Sequence, residues 1–137
     1  MRADRRALVA YPHHALSQGI RDLLATTFEA VVMVADNVSL FDAAGRLQSD
    51  VAVVDLALGE GEGLDFVRRL HSLFPNMKVI VLGAHGEASV SRSVLDAGAD
   101  AYVVKSKIST DLLDAADAVL AGQRYVSPQV GRFARPS

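Results

Sequence analysis

The stretch Val51-Ala52-Val53-Val54-Asp55-Leu56 decides the fold. Its apolar residues are mostly β-branched and run straight into an acid, the pattern of a short strand buried on both faces of a parallel sheet. Four more runs of this kind lie at 7–10, 31–34, 79–82 and 101–104, and the last runs straight into Lys105. In a parallel α/β sheet the carboxyl ends of the strands line the crevice where ligands bind. Asp55 and Lys105 therefore arrive at one edge as a candidate site. The first run ends differently, in Tyr11-Pro12, with no acid.

Amphipathic segments separate the runs. Leu16, Ile20, Leu23, Leu24 and Thr27 recur at helical spacing on one face. The segment 40–47 is weaker, with Asn37 or Ser39 as its expected N-cap and Gly45 near its end. Residues 63–74 give a third helix that faces Leu64, Val67, Leu70 and Leu73 or Phe74 inward and stops at Pro75. Val90, Val94 and Leu95 mark a fourth, closed by Gly98 in a left-handed C′ position. Leu112, Leu113, Ala116, Val119 and Leu120 mark a fifth, with Ser109 or Thr110 as expected cap and Gly122 at its end. Strand and helix alternate strictly, which requires right-handed crossovers and helices on both faces of the sheet. The expected fold is α/β: a flavodoxin-like (βα)5 three-layer sandwich with a five-stranded parallel sheet in the order 2-1-3-4-5, the second strand at an edge.

Composition bounds the rest. The chain has 137 residues, half of them hydrophobic, which suits one domain. A net charge of −2 gives no global argument for nucleic acid or a membrane surface. Arg2, Arg5 and Arg6 read as a solvated terminus. The absence of cysteine excludes disulfides and thiolate metal sites and fits a reducing cytoplasm. Charged residues interrupt every apolar run before it reaches a membrane span. The expected location is cytoplasmic. Residues 1–125 form the expected domain. The polar, proline-punctuated 126–137 read as the start of a linker, with the natural chain expected to continue.

Four motifs now carry a resemblance: Val53-Val54-Asp55-Leu56, Gly63-Leu64-Asp65-Phe66-Val67-Arg68-Arg69-Leu70, Ala97-Gly98-Ala99-Asp100-Ala101-Tyr102-Val103-Val104-Lys105, and Ala121-Gly122-Gln123-Arg124-Tyr125-Val126-Ser127-Pro128. Over nearly its whole length the chain resembles a CheY-like receiver domain of a bacterial response regulator. It is most similar to the type that precedes a LuxR-like helix-turn-helix in the NarL/FixJ group. The resemblance implies that Asp55 is equivalent to an aspartate that accepts a phosphoryl group from a histidine kinase, and that Lys105 is the family's lysine. It implies a switch formed by position 83 and Tyr102, and a magnesium ion held by two acids after the first strand. The chain departs from that pattern. Tyr11 and Pro12 stand where the acidic pair belongs, Gly83 stands where a Ser or Thr hydroxyl belongs, and Gly59 replaces a common proline. A single carboxylate holds magnesium weakly, because such sites depend on ligand charge. The expectation is an atypical receiver without conventional aspartyl phosphorylation, with no cofactor beyond weakly bound magnesium, and not an enzyme.

Other readings stay open at this point. Asp55 and Lys105 can form a purely structural pair, and Tyr102 can be a packing residue. His13 or His14, with His85 and Asp55, forms a looser candidate metal site, and Glu60 and Glu62 lie on a glycine-rich loop after Asp55. The glycines of that loop do not open a helix as a dinucleotide fingerprint does. Ser89, Ser91, Arg92 and Ser93 read as a polar outer helix face. The resemblance implies a histidine kinase or other signalling protein as partner, a homodimer, no membrane, and DNA contact only through a C-terminal domain outside this sequence. The alternatives are conventional phosphoacceptance at Asp55, and a standalone docking or small-molecule-sensing module.

Overall fold

Backbone pairing settles the order of the apolar runs. The computed structural model describes residues 5–12, 14–62, 64–84 and 86–128, and side chains only outside 14–16 and 60–62. Its elements run β1 (Arg6–Ala10), α1 (His14–Leu24), β2 (Ala30–Val34), α2 (Asn37–Leu47) and β3 (Val51–Asp55). A 3-10 helix over Leu56–Glu62 leads to α3 (Asp65–Leu73), β4 (Lys78–Gly83), α4 (Ala88–Asp96) and β5 (Ala101–Val104). A 3-10 turn at Lys105–Lys107 then opens α5 (Ile108–Leu120), followed by β6 (Tyr125–Val126). The sheet order is β2-β1-β3-β4-β5-β6, all parallel.

The flavodoxin-like order stands as the sequence implies, with β2 at an edge and half-buried throughout. The strand count needs correction. The sheet has six strands, not five, because Tyr125 and Val126 pair with Ala101 and Tyr102. Two residues are too few to show a periodicity, so only the pairing reveals them.

Alternation along each strand divides the core into two layers. Leu8, Ala52, Val54, Val81 and Tyr102 face α2, α3 and α4. Val9, Val51, Val53, Leu82 and Val103 face α1 and α5. Val51, Val53 and Val54 have no exposed surface, and each such side chain contributes about 1.5–3 kcal/mol. That burial makes β3 the axis on which Asp55 is delivered.

The helix ends follow from local chemistry. Ala99 donates to Val94 O at 3.3 Å and Gly98 to Leu95 O at 3.0 Å, a Schellman closure of α4. Gly98 takes φ +116, and a Cβ there would meet His71 at 2.7 Å, so glycine is required twice over. The same closure ends α5, where Gln123 donates to Ala118 O and Gly122, at φ +84, to Val119 O. Asp100 then pins the next strand: its carboxylate accepts from Val79 N–H at 2.9 Å, and its own N–H donates to Val79 O at 2.8 Å.

The helix starts differ from expectation. The N-cap of α2 is Asp36, not Asn37 or Ser39, and its carboxylate accepts from Ser39 N–H at 2.8 Å. The α5 helix begins at Ile108, so neither Ser109 nor Thr110 caps it, and the Thr110 hydroxyl donates back to Lys107 O. The α3 helix starts at Asp65, later than expected, with Leu64 before it in a turn and a 3-10 helix over Leu56–Glu62. Phe74 packs against the core while Leu73 is exposed, which decides between those two. Ser91 belongs to the buried side of α4 and donates to Ala88 O, so it leaves the polar outer face that Ser89, Arg92 and Ser93 keep.

Candidate functional site

Strands β1, β3, β4 and β5 end side by side, and their next residues meet at one edge. The β1/β3 boundary is where the chain's crossovers change direction, the place at which open α/β sheets hold ligands. Asp55 closes β3 and Lys105 follows β5, and both continue the α1/α5 side of the alternation. Fifty positions apart in sequence, they meet in a two-pronged ion pair, Lys105 Nζ lying 2.9 Å from Asp55 Oδ1 and 3.0 Å from Oδ2. The Asp55 side chain has no exposed surface, whereas Lys105 keeps 26%. Ala57 N–H adds a third donor, to Oδ1 at 3.1 Å. A buried carboxylate is tolerable only when it is paired and hydrogen-bonded in this way.

Tyr11 lines the same spot from β1. Its ring is buried, with its centroid 5.4 Å from Lys105 Nζ, within cation–π reach. Its N–H is held by Val34 O at 3.0 Å. Burial pushes the phenol above its ordinary pKa. The Lys105 charge opposes that shift, and the Asp55 charge adds to it. Pro12 is exposed and lines a shallow cleft with Asp36, Asn37, Val38 and Leu58. Asn37 Nδ2 donates to Leu58 O at 2.7 Å, which fastens the start of α2 to the loop after Asp55.

Gly83 and Tyr102 lie on the other side of the sheet. A Cβ on Gly83 would stand 2.6 Å from Tyr102 Cε1 and Cζ, closer than real atoms approach. The fully buried Tyr102 ring thus occupies the room that any side chain at position 83 would take. Gly83, Tyr102, Asp55, Lys105, Tyr11 and Pro12 all fall at the carboxyl edge. The structure groups Asp55 and Lys105 with Tyr11 on one face and Gly83 with Tyr102 on the other, and it sets Pro12 apart in its own cleft.

Sequence reasoning missed Asn37 as a tie to the loop and Asp36 as a cap; the Asp36-to-Ser39 spacing was the signal available for the cap. His13, His85 and the side chains of His14, Glu60 and Glu62 lie outside the described residues, so the looser metal reading does too. Among the described residues no group of three or more His, Cys, Asp or Glu is placed to hold a metal. No helix among them is long and apolar enough to cross a membrane.

Comparison with known proteins bears on the family and the fold. Residues 7–117 match the response regulator receiver domain. The nitrate/nitrite response regulator protein NarP of Escherichia coli K12 is 30% identical over 132 residues, covering 95% of this chain and 61% of that protein. The transcriptional regulatory protein DegU of Brevibacillus brevis is 28% identical over 120 residues, covering 86% of this chain and 51% of DegU. Among solved structures, the RcsB response regulator of Salmonella typhimurium superposes with a TM-score of 0.85 at 25% identity, over 97% of this chain and 67% of that one. The isolated receiver domain of RcsB from Salmonella enterica serovar Typhimurium, in its apo form, gives 0.82 at 26% identity over 96% and 98%. The chain spans about half to three fifths of the length of the curated relatives it matches.

Proposed function

The chain belongs to the response regulator receiver domain family, of the LuxR/NarL type, and on that premise we propose that it receives its signal without conventional magnesium-dependent phosphorylation of Asp55. Its output is control of self-association, or of the activity of a DNA-binding domain outside these residues. The observation that carries the reading is the buried Tyr11 ring, which stands beside the Asp55–Lys105 pair where the family's first acid belongs. Lys105 engages both oxygens of a carboxylate that has no exposed surface, and the Tyr11 ring stands beside the ammonium.

The donor set at this edge does not fit a magnesium ion. Magnesium takes hard oxygen ligands in near-octahedral array. Among the described residues Asp55 is the one carboxylate that ends or directly follows β1, β3, β4 or β5, and its oxygens already accept from Lys105 and Ala57. Tyr11 and Pro12 bring no carboxylate to the place of an acidic pair. A role other than catalysis is part of the same proposal.

Partners follow from the family. A histidine kinase or another signalling protein on the input side, and a second copy of the chain on the output side, are proposals of the same rank. RcsB is described in terms of DNA interaction. For this chain DNA contact is proposed only through residues outside it.

An NMR titration with magnesium and then beryllofluoride tests the reading. The expected result is no saturable shift at the amides of Asp55, Ala57 and Lys105. Saturable shifts at those positions would establish Asp55 as a working phosphoacceptor and overturn it.

A second reading, a small-molecule sensor, is favoured by one observation. A groove of about 560 Å³ opens beside the ion pair, walled by Tyr11, Ile20, Leu23, Lys105 and Ile108. A thermal-shift screen with nucleotides and small metabolites distinguishes the two, since a ligand of the folded state raises Tm.

A further inference from the structure

Ser127 is almost fully buried, and both its amide and its hydroxyl have partners. Its N–H donates to Tyr102 O at 2.9 Å. Its hydroxyl donates to Asp111 Oδ2 at 2.8 Å and accepts from Val104 N–H at 3.0 Å. Asp111, on the first turn of α5, is itself buried, and its other oxygen is bonded to the Thr110 hydroxyl at 3.1 Å. One hydroxyl thus bridges a buried carboxylate and a buried amide, using both its donor and an acceptor capacity.

The residues joined here are placed tellingly. Val104 immediately precedes Lys105, and Asp111 lies six residues beyond it, in the helix that the Lys105–Lys107 turn opens. That turn is closed by Ile108 N–H donating to Lys105 O. The Lys105 turn is therefore held from two sides: by Asp55 through the lysine side chain, and by Ser127 through the strand before it and the helix after it. Ser127 belongs to the segment that leaves the domain after α5, directly beyond β6.

We propose that Ser127 is a latch that fastens the departing chain to the Lys105 turn, so that the latch and the Asp55–Lys105 pair open together. A state of Asp55 that releases Lys105 loosens the grip on the residues after β6, and pulling on those residues loosens Lys105. The coupling is reciprocal, as any linkage between two sites must be. It gives the signal a physical route from the strand-end crevice to whatever follows the domain. The proposal rests on this geometry alone, and it stands whether or not Asp55 accepts a phosphoryl group.

Amide hydrogen exchange on the full 137-residue chain, read residue by residue by NMR, tests it. In Lys105→Met, exchange at the Val104 and Ser127 amides is expected to rise about tenfold or more, equivalent to opening made easier by about 1.4 kcal/mol. Amides of β2 at the far edge serve as the reference for global unfolding. In Ser127→Ala the reciprocal effect is expected at Ala57, whose N–H binds Asp55. Asp55→Asn, which keeps the shape of the site, replaces Lys105→Met should that variant not fold. Exchange at Ser127 that is unchanged, or that rises only in step with β2, would overturn the latch. So would a Ser127→Ala chain in which Ala57 keeps its wild-type protection.

Discussion

The two faces of the sheet's carboxyl edge solve the same packing problem in opposite ways. On the α1/α5 side the edge is charged: Asp55 is buried under Lys105, with the Tyr11 ring beside the ammonium. On the α2–α4 side it is apolar: the Tyr102 ring fills the room above Gly83. The charged side is specified by attraction between two groups, and the fully buried carboxylate is not tolerable there alone. The apolar side is specified by an absence, because a side chain missing at one position makes space for a ring at another. Adjacent strand ends differ this much because side chains alternate, so a step of one residue moves a group from one face to the other.

The contrast can be broken on either side, and the charged side should break harder. Lys105→Met leaves a fully buried carboxylate without its cation. We expect urea unfolding to show a loss of roughly 3 kcal/mol, at the low end for a broken buried pair because Lys105 is partly exposed. Combining it with Asp55→Asn should restore a substantial part of that loss. Strictly additive single and double variants would show that the pair carries no interaction energy.

On the apolar side, Gly83→Ala inserts a methyl group into the Tyr102 ring and should cost about 1–3 kcal/mol, the usual range for overpacking. The Tyr102 ring resonances should shift with it. In a Tyr102→Leu background the penalty of Gly83→Ala should largely vanish, and its persistence at full size would mean the backbone at Gly83, not the ring, is what resists a side chain.

Smaller effects sharpen the comparison through pH. Burial raises the Tyr11 pKa in the folded chain, so Tyr11 contributes stability below its unfolded value of about 10, and that contribution is lost as pH rises through the folded value. Ultraviolet titration should show late tyrosine ionisation to which Tyr125 also contributes, raised by burial and by Asp111 and Asp114, and Tyr11→Phe should remove one late component. Removing the charge in Lys105→Met should delay the Tyr11 component further, because the ammonium is the influence that lowers it. Asp36 behaves in the opposite sense. The Ser39 backbone N–H, with smaller help from the Ser39 side chain, holds its pKa below the ordinary value. Its contribution is therefore present above its unfolded pKa of about 4 and is lost as pH falls through the folded value. The exposed position makes this the smallest of the effects. Asp36→Ala should flatten the acid limb of the stability profile for α2 amides.

Much of this was legible in the chain because buried strands are written as unbroken β-branched runs. The carboxyl-edge rule then placed Asp55 and Lys105 together although they are distant in sequence, and the resemblance to receiver domains marked Tyr11, Pro12 and Gly83 as standing where acids and a hydroxyl belong. Helix ends marked by Gly98 and Gly122 were equally plain, since a positive φ selects glycine. Helix starts were not, because Asp36, Asn37 and Ser39 are all acceptable caps and only the backbone angle chooses among them. Val126 and Ser127, placed by composition in a linker, pack on β5 and α5, and nothing local distinguishes a buried serine from a solvated one.

The sequence by itself determined the alternation of strands and helices and the residue types delivered to the edge. These follow from periodicity, and periodicity is a local property. Only the tertiary structure decided that the Lys105 ammonium would grip both Asp55 oxygens and that Tyr102 would lie over Gly83. It also decided that Ser127 would join Val104 to Asp111. Each of those contacts depends on distances of a few ångströms between residues remote along the chain, and such distances are fixed by how the layers pack, not by any neighbour in sequence.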